Sequence, residues 1–475
     1  MSRILRLEMP GNPRYQPKSL IPYFGYDNLA RFLIEVEWAL LESLADIKVI
    51  PEKEAKLLTY ELKELLTSII TTTVLDEREK ITKHDIRALV QLMQENMPEP
   101  LRKWVHYSAT SYDVIENARI IAYKRAFREV TLPTLVNLIK NLSAKAEGFA
   151  SVVQIGRTHG QHALPITVGF WLATLLNRFV DSAQELKEAE SKLVGKFSGA
   201  VGAYNAQVAL GLDEKSQELF NITFEQSVMS KLDLNPGTIS TQILQPNHLA
   251  RFLHEHLLMS GNLAQFGRDC RHLQRTEISE IAEKFALKQV GSSTMAQKRN
   301  PISFENTEGL FEIVKAEYLK VLSCLISEHQ RDLVGSSVMR EFPTIVVMLQ
   351  HQLERMDRVI PNMIVDTIAL EKNFDHSEKS IMAEPLYLIL QLYGYEGDAH
   401  DLVNHTLIPR AKSSDRSLTE ELIKLSLEDQ DISKVISQIP EEMFDLLHSP
   451  CKYIGRAETK TMEVVKKAKR FCKRE

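Results

Sequence analysis

Turn-forming residues are scarce in this chain: 475 residues contain 19 glycines and 18 prolines. Chain reversals lean on these two types, so a sequence with few of either makes few turns and must run straight for long stretches. The apolar pattern says in what form. Between 169 and 196, Leu172, Leu175, Leu176, Phe179, Val180, Ala183 and Leu186 recur at three- and four-residue steps, with Asp181, Glu185, Lys187, Glu188 and Lys192 in the remaining positions. This is the stripe of an amphipathic helix, well beyond the usual length of about a dozen residues. Two further tracts, 247–284 and 304–328, have the same character. Long striped helices must bury their stripes against one another, within a bundle or across subunits. The expected fold class is therefore all-α.

Around the long tracts the chain changes character. Pro10, Pro13, Pro17 and Pro22 make the first 25 residues an irregular arm, and helical pattern then runs from Asn28 to about Leu66 with a break near Pro51. Thr82-Lys83-His84-Asp85 reads as a helix start, since Thr and Asp suit a cap and first turn. His106 to Asn117 is polar at first and then becomes a helix running towards Val130. Polar stretches near 157–163, 198–206, 238–246 and 291–301 fall at helix ends, where a site is most easily built. After about Asn373 shorter helices alternate with Pro385, Pro409, Pro440 and Pro450. The basic run Lys466–Arg474 reads as a solvated helix face rather than a nucleic-acid patch.

Bulk properties narrow the function classes. A formal net charge of −5 gives no electrostatic argument for a nucleic-acid partner. No apolar run reaches membrane-spanning length; 168–180 already includes Asn177 and Arg178. The start lacks a long apolar core and a small-residue cleavage site. Cys270, Cys324, Cys451 and Cys472 are scattered, with no Cys-x-x-Cys pair, so neither a disulfide framework nor a zinc knuckle is indicated. A cytoplasmic protein with no membrane partner is expected.

The stretch richest in chemistry is Gly291-Ser-Ser-Thr-Met-Ala-Gln-Lys-Arg-Asn-Pro301. A glycine opens it and a proline stiffens its exit. Between them Ser292, Ser293, Lys298, Asn300 and several backbone N–H groups can face one anionic ligand, with Met295 as a candidate buried anchor. That equipment can hold a carboxylate and take a proton from the carbon beside it. A polar surface loop would be the ordinary alternative, but Lys and Asn at these offsets argue against it.

Three other clusters stand out. Gly156-Arg157-Thr158-His159-Gly160-Gln161-His162 places donors and an imidazole that titrates near neutrality before a long helix. Most single histidines are structural; Thr158 and Gly160 raise the interest of His159. His106-Tyr107-Ser108-Ala109-Thr110-Ser111-Tyr112-Asp113 offers hydroxyls at a helix entrance, where capping and anion binding are compatible roles. Arg331-Asp332 with Ser336-Ser337 and Arg340 suits a phosphate, or equally a surface turn with a local ion pair. No metal is expected: His254-Glu255-His256 puts its imidazoles two positions apart, facing different ways on a helix, and His-Glu-x-x-His is absent. Neither Gly-x-Gly-x-x-Gly nor a phosphate-binding Gly-x-x-x-x-Gly-Lys-Ser/Thr motif is present, so no nucleotide cofactor is expected.

The 291–301 segment resembles the signature loop of the fumarase/aspartase superfamily, lyases that remove fumarate from a succinyl-bearing substrate. Thr158-His159-Gly160-Gln161 resembles its second motif, and Thr110-Ser111 with Asp113 its first, in the superfamily's order. Within it the chain is most similar to the adenylosuccinate lyases, especially the gamma-proteobacterial form. The supporting residues are Arg14-Tyr15, His84-Asp85, 199–206, Thr241-Gln242, 303–306, Arg331-Asp332-Leu333, Ala383-Glu384-Pro385 and 453–457. The likeness runs almost end to end. It implies an all-α fold of three domains with a central bundle of long helices, here 1–112, 113–367 and 368–475. It also implies a homotetramer with a multi-subunit helical core, in which each active site takes residues from three subunits.

The implied activity is β-elimination of fumarate from adenylosuccinate and from the succinylated aminoimidazole carboxamide ribotide. Carried over by resemblance, Ser292 is the general base and His159 the general acid, with Glu305 as its carboxylate partner. Lys298, Asn300, Thr110, Ser111 and Thr158 hold the succinyl carboxylates. Arg14, Tyr15, Arg331, Ser336 and Arg340 grip the nucleotide phosphate, while His84, Asp85 and Gln242 position base, ribose or succinyl. Three positions depart from the family pattern: Ala296 and His162 stand where proline is usual, and Lys83 where Asn or Arg precedes the His-Asp pair. The alternatives are another lyase of the superfamily, of the argininosuccinate lyase or carboxymuconate cycloisomerase type, and a non-catalytic helical scaffold.

Overall fold

The apolar stripe between 172 and 186 is buried in full: Leu172, Leu175, Leu176, Phe179, Val180, Ala183 and Leu186 are each at most 2% exposed. They lie on the helix Val168–Ser191. The other long helices are Asn247–Leu273 and Ile302–Ser323. The computed structural model describes Met9 and residues 12–285, 294–295 and 297–475. Over these the fold is all-α, interrupted by three two-stranded ribbons.

Two of the long helices stop earlier than the sequence pattern implies. The 247–284 tract leaves the helix at Leu273, and Ile281–Ala282 pairs antiparallel with Ile364–Val365. The local composition, rich in Glu and Lys, favours helix; pairing with a distant strand overrides it. The 304–328 tract ends at Ser323. At 82–85 the expected helix start is present, but Thr82 ends one helix (Thr72–Thr82) and His84 caps the next (Asp85–Asn96). The left-handed Lys83 between them makes the reversal.

Proline leaves a second mark. Phe127–Thr131 and Leu402–Leu407 are wide π turns, and each is followed two residues later by a proline, Pro133 and Pro409. A proline ring collides with the carbonyl four residues earlier and offers it no N–H. Here those carbonyls belong to Glu129 and His405, inside the widened turns, so the helix accommodates the proline without breaking.

The chain divides into two units. The first comprises Met1–Leu135, Asp181–Ala264 and Asn306–Arg355. Its core includes the buried side chains of the helix Leu29–Asp46, among them Phe32, Val36, Trp38 and Leu40. The second comprises Val136–Val180, Gln265–Glu305 and Met356–Glu475. A hydrophobic cluster in it is built mainly from the short helices after 374, with Leu386, Leu390, Leu407 and Leu422 fully buried and Ile155 packed among them. Among the described residues no helix is long and apolar enough to cross a membrane.

Candidate active site

In the second unit the Thr-His-Gly-Gln motif is not a helix cap but the tip of a β-hairpin. Strands β1 (Val153–Thr158) and β2 (Gln161–Thr167) are antiparallel, and His159 and Gly160 form the two-residue turn. Both have positive φ, 53° and 75°, the geometry that matches the twist of paired strands. Thr158, His159 and Gly160 are all exposed. The hairpin is anchored at its base rather than its tip. Arg157 grips Glu280 with two N–H···O bonds of 2.6 and 3.1 Å, and Gln154 and Asn373 each donate to the same carboxylate at 2.8 Å. Glu280 is fully buried, so four hydrogen bonds offset its lost hydration. Sequence reading missed Glu280, because a glutamate in the run 275–284 looks like any solvated charge. His162 bonds Ser377 through Nδ1 at 2.6 Å. Burial, then the positive charges of Arg157 and His376, hold its pKa below the usual value.

The signature loop is described only in part: Gly291, Ser292, Ser293 and Ala296 lie outside the described residues. Lys298 is exposed, and its backbone N–H donates to the Met295 carbonyl at 3.0 Å. Met295, expected as a buried anchor, is 45% exposed. Asn300 is half-buried and leads through Pro301 into the Ile302 helix. That helix is capped from a distance, since Glu283 accepts the N–H groups of Ser303 and Phe304 at 2.7 and 3.1 Å. Glu305 lies in the first turn, exposed. Among the described residues no hydrogen bond or ion pair links His159 to Glu305.

The first unit holds the residues expected to bind nucleotide. Thr110 caps the helix Ser111–Ala126, and Asp113 turns back to accept the Thr110 N–H at 2.9 Å. Asp113 is wholly buried and also takes Lys196 Nζ at 2.5 Å and the Ser198 N–H at 3.2 Å. It therefore fixes the helix entrance, where Thr110 and Ser111 are both half-buried. Just before them, the buried Glu37 takes both the N–H and Nδ1 of His106, at 3.0 and 2.6 Å. Burial pulls the His106 pKa down, but attraction to Glu37 and the hydrogen bond to it outweigh this and the net shift is upward.

In the first turn of the same helix, Tyr112 carries the Arg331 guanidinium on its ring, 3.5 Å from the centroid. Arg331 Nη1 donates to Gln242 Oε1 at 2.6 Å, and Tyr112 Oη lies 3.5 Å from Ser336 Oγ. Arg331 Nε is buried and finds no hydrogen-bond partner among the described residues. The adjoining Asp332 is structural: its carboxylate accepts the N–H groups of Glu328 and Val334, each at 2.7 Å. These bonds hold its pKa below the usual range. A second group gathers at Asp85, whose carboxylate lies 3.7 Å from Arg340 Nη2. His84 Nδ1 lies 3.3 Å from both the Arg87 backbone nitrogen and the Asp85 carboxylate. Arg14 is exposed, and Tyr15 stacks edge-on against His351 at 5.5 Å. No hydrogen bond, ion pair or ring contact among the described residues joins Arg14 or Tyr15 to either group.

A profile of the lyase family matches residues 20–314. The chain is 34% identical over 468 residues to an adenylosuccinate lyase of Pyrococcus horikoshii, covering 96% of both chains. It is 32% identical to one of Archaeoglobus fulgidus, over 96% of this chain and 98% of that one. The chain belongs to the adenylosuccinate lyase family. A Bacillus subtilis member matches at 31% over 79% of this chain and 83% of its own. Among solved structures, a Pseudomonas putida 3-carboxy-cis,cis-muconate lactonizing enzyme superposes with a TM-score of 0.80 at 24% identity, covering 96% of this chain and 98% of that one. A Mesorhizobium fumarate lyase superposes at 0.81 and 23%, covering 96% and 100%. At these identities the structural likeness carries the fold alone. For a lyase of this family the first unit offers an arginine stacked on an aromatic ring beside hydroxyls at a helix N-terminus, an arrangement suited to an anion. The second unit offers an imidazole on an exposed turn and an exposed lysine on the signature loop.

Proposed function

We propose that the chain catalyses β-elimination of fumarate from adenylosuccinate, giving AMP, and the matching cleavage of the succinylated aminoimidazole carboxamide ribotide. The observation that carries this reading is the likeness to adenylosuccinate lyases along 96% of the chain. Ser292, activated by Lys298 and neighbouring N–H groups, takes the Cβ proton of the succinyl group. The charge that develops passes into the adjacent carboxylate, held by Lys298, Asn300, Thr110, Ser111 and Thr158. The C–N bond then breaks, the Cα–Cβ double bond forms, and His159, oriented by Glu305, protonates the departing nitrogen. Arg14, Tyr15, Arg331, Ser336 and Arg340 bind the phosphate, and His84, Asp85 and Gln242 position the nucleotide. The unsatisfied Nε of Arg331 supports the phosphate assignment.

The working form in this reading is a homotetramer of three-domain chains, each site drawing on three subunits. Two observations support it. His159, Lys298 and Glu305 are exposed, although groups that stabilise a developing charge act most strongly where water is excluded. Leu319, Leu322 and Ile326, on or just beyond the Ile302 helix, are exposed apolar residues in want of cover. The substrate is a small nucleotide, with neither nucleic acid nor membrane as partner, and the compartment is the cytoplasm, which suits four free thiols. The test is fumarate release, followed by absorbance, from adenylosuccinate and from argininosuccinate. Equimolar fumarate and AMP from the first and nothing from the second is expected; the reverse would transfer the chain to another activity of the superfamily.

A further inference from the structure

Glu116 is a buried carboxylate to which the elimination chemistry gives no role. It is 4% exposed, on the Ser111 helix one turn after Tyr112 and therefore on the same face. Its Oε2 accepts the N–H of Leu244. Leu244 ends the short segment that carries Gln242, whose Oε1 receives Arg331 and whose Nε2 donates to the Ala200 carbonyl at 2.8 Å. Ile243 and Leu244 also form a wall of the cavity lined by Tyr112 and Ser336. One helix thus supplies both the platform on which Arg331 lies and the anchor that sets the position of the residue orienting Arg331.

We infer that Glu116 is a positioning residue for the nucleotide end of the site, holding Gln242, and through it Arg331, against the Tyr112 platform. The inference rests on the nucleotide-binding role proposed above for Arg331 and Gln242. Burial drives the Glu116 pKa up, while Arg119, the Leu244 N–H, Lys196 and Arg331 draw it down. Either protonation state keeps an oxygen for the Leu244 N–H, so the hydrogen bond rather than the charge is the working element. A glutamine can therefore replace it and a leucine cannot.

The experiment compares wild type, Glu116→Leu and Glu116→Gln in the full chain, reading KM and kcat for adenylosuccinate and the Kd of AMP by calorimetry. Losing one buried hydrogen bond that orders a ligand-binding arginine should raise KM and Kd about tenfold in Glu116→Leu, with kcat within about threefold. Glu116→Gln should recover most of that loss. A folded Glu116→Leu enzyme with wild-type KM and Kd overturns the inference, as does a Glu116→Gln enzyme as impaired as the leucine variant. A fall in kcat alone also overturns it. Should Glu116→Leu not fold, Glu116→Asp is read in its place, since it keeps the charge but falls short of Leu244; wild-type binding there is equally fatal. Wild-type chain that releases no fumarate from adenylosuccinate refutes the proposed function instead, and is seen before any variant is made.

Discussion

Lys196 and Asp113 are opposite charges taken almost wholly out of water, with side chains 1% and 0% exposed. Removing one partner of such a pair leaves the other charged and buried, which costs about 3–5 kcal/mol. Lys196→Met should therefore lower the urea midpoint clearly; an unchanged midpoint would mean that the pair does not hold the Ser111 helix in place. His256 gives a pH dependence. It is fully buried, with Nδ1 on the Phe252 carbonyl and Nε2 unbonded, and burial pushes its pKa down from 6.5 to about 4. A depressed histidine stabilises above its unfolded value and loses that contribution as pH falls, because the unfolded chain takes up the proton first. Wild type should lose roughly 3 kcal/mol from this group between pH 6.5 and pH 4, and His256→Phe should lack that part of the slope in denaturation curves. Legibility differs sharply among these residues. Asp113 stands three positions after Thr110 and reads as part of a cap. Lys196, 83 residues from its partner, and Glu280, 123 residues from Arg157, carry no local sign of burial.

At the scale of elements, the long helices were legible because every member of the 172–186 stripe is buried, and period alone reveals it. The β1–β2 hairpin is much less legible. Its polar tip resembles a helix-capping loop, and the signal that marks it is the β-branched content on either side, Val152, Val153 and Ile155 before, Ile166 and Val168 after. The turn itself can be tested. A Cβ on Gly160 would meet nothing within 4 Å, so the cost of Gly160→Val is backbone strain at φ +75°, about 1–2 kcal/mol. The expected outcome is a folded protein whose kcat falls roughly tenfold or more, because His159 shares the turn and a small displacement of an acid is expensive. Unchanged kcat in a folded Gly160→Val variant would argue that His159 does not act from this turn.

At the scale of the molecule, each unit carries half of the expected chemistry. Arg331, Gln242, Ser336, Asp85 and Arg340 belong to the first unit, whereas His159, Lys298, Asn300 and Glu305 belong to the second. A sequence states which residues are present but not which copy of the chain delivers each one, so the grouping within a unit was legible only once coordinates placed Gln242 on Arg331. The central claim of the proposed function is that Ser292 and His159 act on one succinyl group; with each site drawing on several subunits, we propose that the two come to it from different copies of the chain. The most direct test mixes two inactive variants, His159→Ala and Ser292→Ala, under conditions that dissociate and reassemble the oligomer. Each alone should be nearly inactive with normal helicity, and the mixture should regain fumarate release from adenylosuccinate. Mixed oligomers that form and remain inactive would contradict the claim.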